Sequence, residues 1–166
     1  VNDTAATFHS LNRNKSSRRV DLKDEHEKAD LIELIGQSDV VVQNMRPGLM
    51  ERYGLGADEL CARFPRLIFC NLGAFGEIGP LSAHTGYDPL VQAFSGIMSV
   101  TGEPGRPPVR VGPSIIDQGS GMWCVIGILS ALLERSRTGQ GCRVDTSLFE
   151  TGLSWMTVPV ANALAS

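Results

Sequence analysis

Between Met122 and Leu133 the apolar residues recur at three- and four-residue steps. Met122, Val125, Ile126, Leu129, Leu132 and Leu133 trace one face of a helix. The pattern predicts a long buried helix following Asp117, with Arg135 and Arg137 in its last turn, where cations suit the helix dipole. Thr138-Gly139-Gln140-Gly141 reads as a turn into a strand over Cys142 to Thr146, and helical character resumes near Leu148.

Upstream, residues up to about Leu11 have the pattern of a helix tail, and Asn12 to Ser17 is a polar turn. Arg18 to Leu22 predicts a short strand. Glu25 to Gly36 predicts a helix with an apolar stripe of Ala29, Ile32, Leu34 and Ile35, stopped by Gly36. Asp39 to Gln43 is a valine run of the buried, parallel-sheet kind, and Asn44 to Gly48 is the loop at its carboxyl end. Short helices are expected over Leu49 to Tyr53 and Ala57 to Arg63. A strand over Leu67 to Cys70 follows, with Asn71 at its carboxyl end. Tyr87 to Met98 predicts a helix that tolerates Pro89 in its first turn, and Thr101 to Pro108 is a Gly/Pro loop. Strands alternating with helices through short loops imply an α/β domain with a largely parallel sheet. Ligands of such sheets collect at the carboxyl ends of strands, where Asn44 and Asn71 are expected.

Asp117 is the strongest single candidate for chemistry. It follows Ile115-Ile116 and precedes the small run Gly119-Ser120-Gly121. A carboxylate at the mouth of a buried helix is either an N-cap or a nucleophile, and the local sequence leaves both open. Glycines beside it lack the Cβ that would keep another molecule off the backbone. The glycine-rich stretch Gly73 to Pro80 has neither G-x-G-x-x-G nor the Lys-Ser/Thr of a P-loop, so it reads as a turn.

Composition narrows the classes further. With 166 residues, 42% hydrophobic and 20% charged, the chain is an ordinary globular domain able to bury a core. A net charge of -3 gives no electrostatic footprint for nucleic acid. No unbroken apolar run approaches the roughly 18 residues that span a bilayer, so no membrane partner is expected. Cys61, Cys70, Cys124 and Cys142 form no C-x-x-C pair, which favours a reducing, cytoplasmic setting over a zinc site. His9, His26 and His84 are isolated, and no metal is expected. The chain starts at Val1 and stops inside an apolar segment at Ala165-Ser166, and it reads as a piece of a longer protein whose missing start could hold a targeting segment.

Several stretches, taken in order, resemble the class III CoA-transferases of the CaiB/BaiF type. They are N-R-N-K-S-S (Asn12 to Ser17), D-V-V-V-Q-N-M-R-P-G (Asp39 to Gly48), L-I-F-C-N-L-G-A-F-G-E-I-G-P (Leu67 to Pro80), G-Y-D-P-L-V-Q-A-F-S-G (Gly86 to Gly96), the Asp117 stretch, and R-T-G-Q-G-C-R-V-D (Arg137 to Asp145). The resemblance implies a Rossmann-like large domain, incomplete here, in a family of interlocked dimers. Residues 1–166 would then be part of the large CoA-binding domain, without its N-terminal start and without the smaller domain. It implies that Asp117 is the catalytic nucleophile, forming an aspartyl-acyl anhydride and then an aspartyl-CoA thioester. Oxyanions formed on the way would find backbone donors at the helix N-terminus and in the glycine run.

By the same resemblance, CoA contacts fall on Val20, Asp21, Leu22 and Lys23, on Asn44, Met45 and Arg46, on Arg52, and on His84 and Tyr87. Lys23, Arg46 and Arg52 suit phosphates. Coenzyme A and acyl-CoA enter as substrates rather than tightly bound cofactors, with a small carboxylic acid and a second copy of the chain as partners. The alternative activity is that of the acyl-CoA racemases of the same fold, which exchange an α-proton with a His-Asp pair. Tyr87 stands where those have histidine, and a phenol is a poor proton shuttle at neutral pH. A non-enzymatic alternative is an inactive CoA-binding fragment.

Overall fold

A computed structural model describes residues 5–165. Its sheet is parallel, in the order β1 (Val40–Gln43), β2 (Ile68–Gly73), β3 (Arg143–Ser147). Val40 lies opposite Ile68 and Gln43 opposite Asn71, while Phe69 faces Arg143 and Gly73 faces Ser147. β2 is central, and its Ile68, Phe69 and Cys70 are buried, as expected of a strand covered on both faces. The helices are α1 (Ala6–Leu11), α2 (Glu25–Gly36), α3 (Leu49–Arg52), α4 (Ala57–Arg63), α5 (Asp88–Phe94), α6 (Ile115–Thr138), α7 (Leu148–Trp155) and α8 (Thr157–Ala165). This is the parallel α/β architecture that the alternation of strands and helices implies, of the Rossmann-like kind expected from the resemblance.

Two apolar clusters hold the layers. Ile35, Met50, Leu55, Leu60, Leu67 and Phe69 bind α2, α3 and α4 to β2. Val91, Ile97, Ile116, Leu148 and Met156 join α5, α6 and α7. α2 starts where expected because the Asp24 carboxylate caps it, accepting from the backbone N–H groups of His26 at 2.8 Å and Glu27 at 3.1 Å. The Glu27 and His26 bonds hold the Asp24 pKa below its ordinary value.

Some boundaries differ from the sequence reading. Arg18 to Leu22 forms no strand. Arg18 reaches back to Asp30 of α2 at 3.1 Å and Leu22 packs on the first apolar cluster, so the segment follows α2 instead of joining the sheet. β2 starts at Ile68 and runs to Gly73, which puts Asn71 inside the strand instead of at its end. The helix expected over Tyr87 to Met98 breaks at Gly96, whose φ of 87° ends α5 and starts a single 3₁₀ turn over Ile97–Val100.

The largest revision concerns α6. Its period is as read, but its direction is reversed. The face against the sheet and α7 is the small-residue one: Gly119, Ser120, Cys124 and Ala131 are buried. Gly127 lies on it too, and a Cβ there would sit 2.6 Å from Val144 Cγ1. The large apolar residues point away, with Met122 61%, Leu129 60% and Leu133 76% exposed. α6 is also long and apolar enough, by length and composition, to cross a membrane, which the count of unbroken apolar runs missed. Packed on β2 and β3, it takes the place of a covering helix in an α/β layer.

The far end of α6 is fastened by Arg135, which does more than complement the dipole. Its guanidinium donates to Arg66 O at 2.9 Å and to Asp39 Oδ1 at 2.6 Å, tying α6 to the segments that lead into β2 and β1. Close by, Gly141 N–H donates to Pro65 O at 2.8 Å, and a Cβ on Gly141 would fall 2.0 Å from Leu67 O. Backbone cannot yield there as a side chain can. Gly141→Ala in the full-length protein is expected to cost about 2 kcal/mol or more. Denaturant unfolding should show this as a lower midpoint at constant slope, and an unchanged midpoint would refute the close contact.

Candidate active site

The first turn of α6 is held from outside. Its N-cap residue Ser114 makes no side-chain cap. Asp88 of α5, 2% exposed, supplies the cap instead: Oδ2 accepts from the N–H groups of Ile116 at 2.8 Å and Asp117 at 3.0 Å. Its Oδ1 accepts from Gln92 Nε2 at 2.6 Å, and Gln92 Oε1 accepts from the Val111 N–H at 2.8 Å. The remaining first-turn donors are also taken, Ile115 N–H by Pro113 O at 2.8 Å and Gln118 N–H by Ser114 O at 3.0 Å.

Asp117 is therefore the third residue of the helix and not its N-cap, which removes one of the two readings left open by the sequence. The backbone donors expected at this helix start are occupied, so they have no hydrogen left for an oxyanion. The glycine run does not provide them either. Gly119 is closed by α7, where a Cβ would meet Thr151 Cγ2 at 2.9 Å, and Ser120 Oγ lies 2.8 Å from Thr151 Oγ1. Gly121 alone of the two glycines faces open space. Gly119 and Ser120 serve helix packing.

The carboxylate of Asp117 makes no hydrogen bond or ion pair among the described residues, and it lines a cleft of about 590 Å³ at the carboxyl ends of β1 and β2. The loop after β1 contributes Asn44, Met45 and Arg46, and the segment before α5 contributes His84 and Tyr87. Six of the residues singled out in the sequence are thus brought together. Asn44 Nδ2 donates to Leu72 O at 2.6 Å, and the Met45 N–H donates to Gln43 Oε1 at 2.7 Å, which fixes the loop to the sheet. Partial burial raises the Asp117 pKa above its ordinary value, and the Asp88 charge adds to the rise.

Val20, Asp21, Leu22, Lys23 and Arg52 lie outside this cleft. The first four form the turn before α2, where the Lys23 N–H donates to Asp21 Oδ1 at 2.9 Å. Arg52 is the exposed last residue of α3. Leu22 and Met50 of α3 share the first apolar cluster, so the turn and α3 flank the same core.

The pair Asp88 and Gln92 escaped the sequence reading, and so did the partners of Asn71. Asp88 and Gln92 are polar residues one helical turn apart on a helix that also buries Val91, and that spacing was the signal available. Asn71 belongs to a second, neighbouring cleft of about 520 Å³, together with Glu77 and Arg143. Its Nδ2 donates to Glu77 Oε1 at 2.6 Å and to Asp145 Oδ1 at 3.2 Å, and Arg143 pairs with Glu77 at 2.7 Å and Asp145 at 2.8 Å. Residues so distant in sequence gave no pattern to read.

The protein is a parallel α/β domain whose Asp117 carboxylate, unpaired among the described residues, faces a cleft at the strand ends. The chain belongs to CoA-transferase family III, matching it over residues 1–166. It is 46% identical over 150 residues to an acyl-CoA transferase of Fusarium pseudograminearum, covering 90% of this chain and 33% of that protein. It is 43% identical over 157 residues to the acetyl-CoA:oxalate CoA-transferase of Acetobacter aceti, covering 94% of this chain and 40% of the relative. A crystal structure of a CaiB/BaiF family protein from Brucella suis superposes with a TM-score of 0.93 at 39% identity, over 98% of this chain and 43% of that one. The chain thus spans less than half the length of these relatives.

The raised Asp117 pKa sets a stability test. The fold binds this proton more tightly than the unfolded chain does, so ionising Asp117 costs stability above the usual carboxylate range and costs nothing below it. Solvent screening keeps the effect small. Asp117→Asn should therefore melt at or slightly above the parent at pH 7, by less than about 4 °C, with the gap closing in acid. A variant melting well below the parent at pH 7 would show the carboxylate to be a structural holdfast.

Proposed function

We propose that the protein is a CoA-transferase that moves CoA from an acyl-CoA donor to a carboxylic acid acceptor, with Asp117 as nucleophile. The observation that carries this is the Asp117 carboxylate, unbonded and raised in basicity, facing the cleft it shares with Asn44, Arg46, His84 and Tyr87. The family and the relatives named above support it.

In this reading Asp117 attacks the thioester carbonyl, and the C–S bond breaks to release CoA thiolate and leave an aspartyl-acyl anhydride. The thiolate attacks the aspartyl carbonyl of that anhydride, expelling the donor's acid and forming an aspartyl-CoA thioester. The acceptor carboxylate attacks this thioester, giving a second anhydride and free thiolate. Attack of the thiolate on the acceptor's acyl carbon yields the new acyl-CoA and restores Asp117. Each step exchanges one acyl bond for another and needs no oxidant or outside proton.

Arg46 makes no ion pair among the described residues and is the cleft's cation for a CoA phosphate, with Asn44, Met45, His84 and Tyr87 beside it. CoA is long, and its far end would run toward Arg52 and the turn of Val20, Asp21, Leu22 and Lys23. Residues 1–166 form part of the large CoA-binding domain in this reading. CoA enters as substrate, with no tightly held cofactor. The exposed outer face of α6 supports a homodimer, and the four free cysteines suit the cytoplasm.

In the full-length protein, Asp117→Asn is expected to abolish transfer while leaving CoA affinity nearly intact. Acyl-CoA followed by hydroxylamine should mark Asp117 in the parent by mass spectrometry; transfer by the Asn variant at near-parental rate would end the proposal. Arg46→Ala should weaken CoA binding roughly 10- to 100-fold, as expected for one charge-assisted contact, and calorimetry reads this directly. One observation favours the racemase reading: His84 shares the cleft with Asp117. A chiral 2-methylacyl-CoA in deuterated water is expected to keep its α-hydrogen, and exchange lost in His84→Ala would favour racemisation.

A further inference from the structure

A carboxylate in the first turn of a helix ordinarily turns toward the free N–H groups there, its own included, because they and the dipole favour negative charge. A carboxylate so engaged is stabilised as an anion and becomes a poorer nucleophile. In this protein those donors are taken by another residue. Asp88 Oδ2 accepts both the Ile116 and Asp117 N–H groups, while Asp117's own oxygens have no partner among the described residues.

We propose that Asp88, anchored by Gln92, is the positioning residue of the nucleophile: it occupies the helix-start donors and thereby keeps the Asp117 carboxylate unbonded and facing the cleft. This rests on the reading of Asp117 as nucleophile and adds to it a residue that never touches substrate. Three features carry it. Asp88 is 2% exposed and Gln92 fully buried, so the pair is built into the interior between α5 and α6. Every contact of the Asp88 carboxylate is an acceptor contact, from two backbone N–H groups and one side-chain amide, as an ionised carboxylate requires. Gln92 also grips Val111 through both ends of its amide, its Oε1 accepting from the N–H at 2.8 Å. Val111 lies on the strand of chain leading into α6, so the same pair fixes the approach to Asp117 and its first turn.

The arrangement gives Asp88 a second effect, through its charge. The other titratable groups around Asp117 are Arg46 from the loop after β1 and His84 and Tyr87 from the segment before α5. From the elements packed on α6, β3 carries Arg143 and Asp145, paired with each other and Arg143 with Glu77, and α7 carries Glu150, whose Oε2 accepts from Ser147 Oγ. The carboxylate that bears on Asp117 is Asp88, and its charge opposes ionisation of the nucleophile. Removing that charge lets Asp117 ionise at lower pH.

The test uses the full-length protein with acetyl-CoA, succinyl-CoA and formyl-CoA as probes and no acceptor acid. Hydroxylamine-trapped adduct on Asp117 is followed by rapid quench and mass spectrometry across pH. Asp88→Asn, shown folded by its melting transition, is expected to form adduct at least about tenfold more slowly at pH 7, with CoA affinity within about threefold of the parent. The acidic limb of its pH–rate profile should move to lower pH. A purely structural role would lower the melting temperature without moving that limb, so a parental limb or a parental rate in folded Asp88→Asn overturns the proposal. If Asp88→Asn does not fold, Gln92→Leu carries the test: the charge stays and its anchor goes, so the rate should fall with no downward move of the limb. A parental rate in Gln92→Leu overturns the proposal. A parent that forms no adduct with any probe instead defeats the transferase reading, and this inference with it.

Discussion

A helix can approach a sheet closely only where little side chain stands between them, and α6 meets β2 and β3 on those terms. Gly127 leaves room for Val144 and Cys124 settles beside Cys70, while against α7 Ser120 exchanges a hydroxyl contact with Thr151. The cysteines act here as small apolar residues: burial pushes the Cys70 thiol up to about 12 and raises Cys124 as well, so neither offers a thiolate. With the middle of the helix pressed to the sheet, its ends are fixed by charge, Asp88 at the start and Arg135 at the finish. The height at which Asp117 emerges over the strand ends follows from these three attachments.

Much of this layout was legible in the sequence, because its signals are local. The valines of β1, the apolar stripe and closing glycine of α2, and the turn at Gly139 each identify an element without knowledge of its neighbours. Asp117, Asn44, Met45, Arg46, His84 and Tyr87 fall in one cleft because loops after parallel strands converge on one edge of a sheet. Asp117 and Asn44 could be read from their places in the pattern, whereas Met45, Arg46, His84 and Tyr87 were expected from the resemblance to the CoA-transferases alone.

What stayed hidden depends on contacts between distant residues. The outward direction of the Met122, Val125 and Leu129 face cannot be read from periodicity, which is the same whichever face is covered. Which face lies inward is decided by fit, and small residues won it. Asp88 is only half legible for a related reason: its one-turn spacing to Gln92 is visible, but the two N–H groups it caps lie 28 and 29 positions away. The segment Arg18 to Leu22, expected as a strand, lies along α2 instead, with Arg18 paired to Asp30 and Leu22 on the first apolar cluster.

The complete occupation of the α6 start has a consequence for how the cleft can change over evolutionary time. A binding site made of backbone amides is common property of the fold; no substitution alters it without disturbing the helix. Here the helix start is sealed by Asp88, so any anion entering the cleft meets side chains such as Arg46, Asn44 and His84 instead. Those residues sit on loops with little structural duty beyond tethering. Each can be exchanged for another while the scaffold stands unchanged, so the cleft's grip on an anion can be tuned at these loop positions without rebuilding the helix.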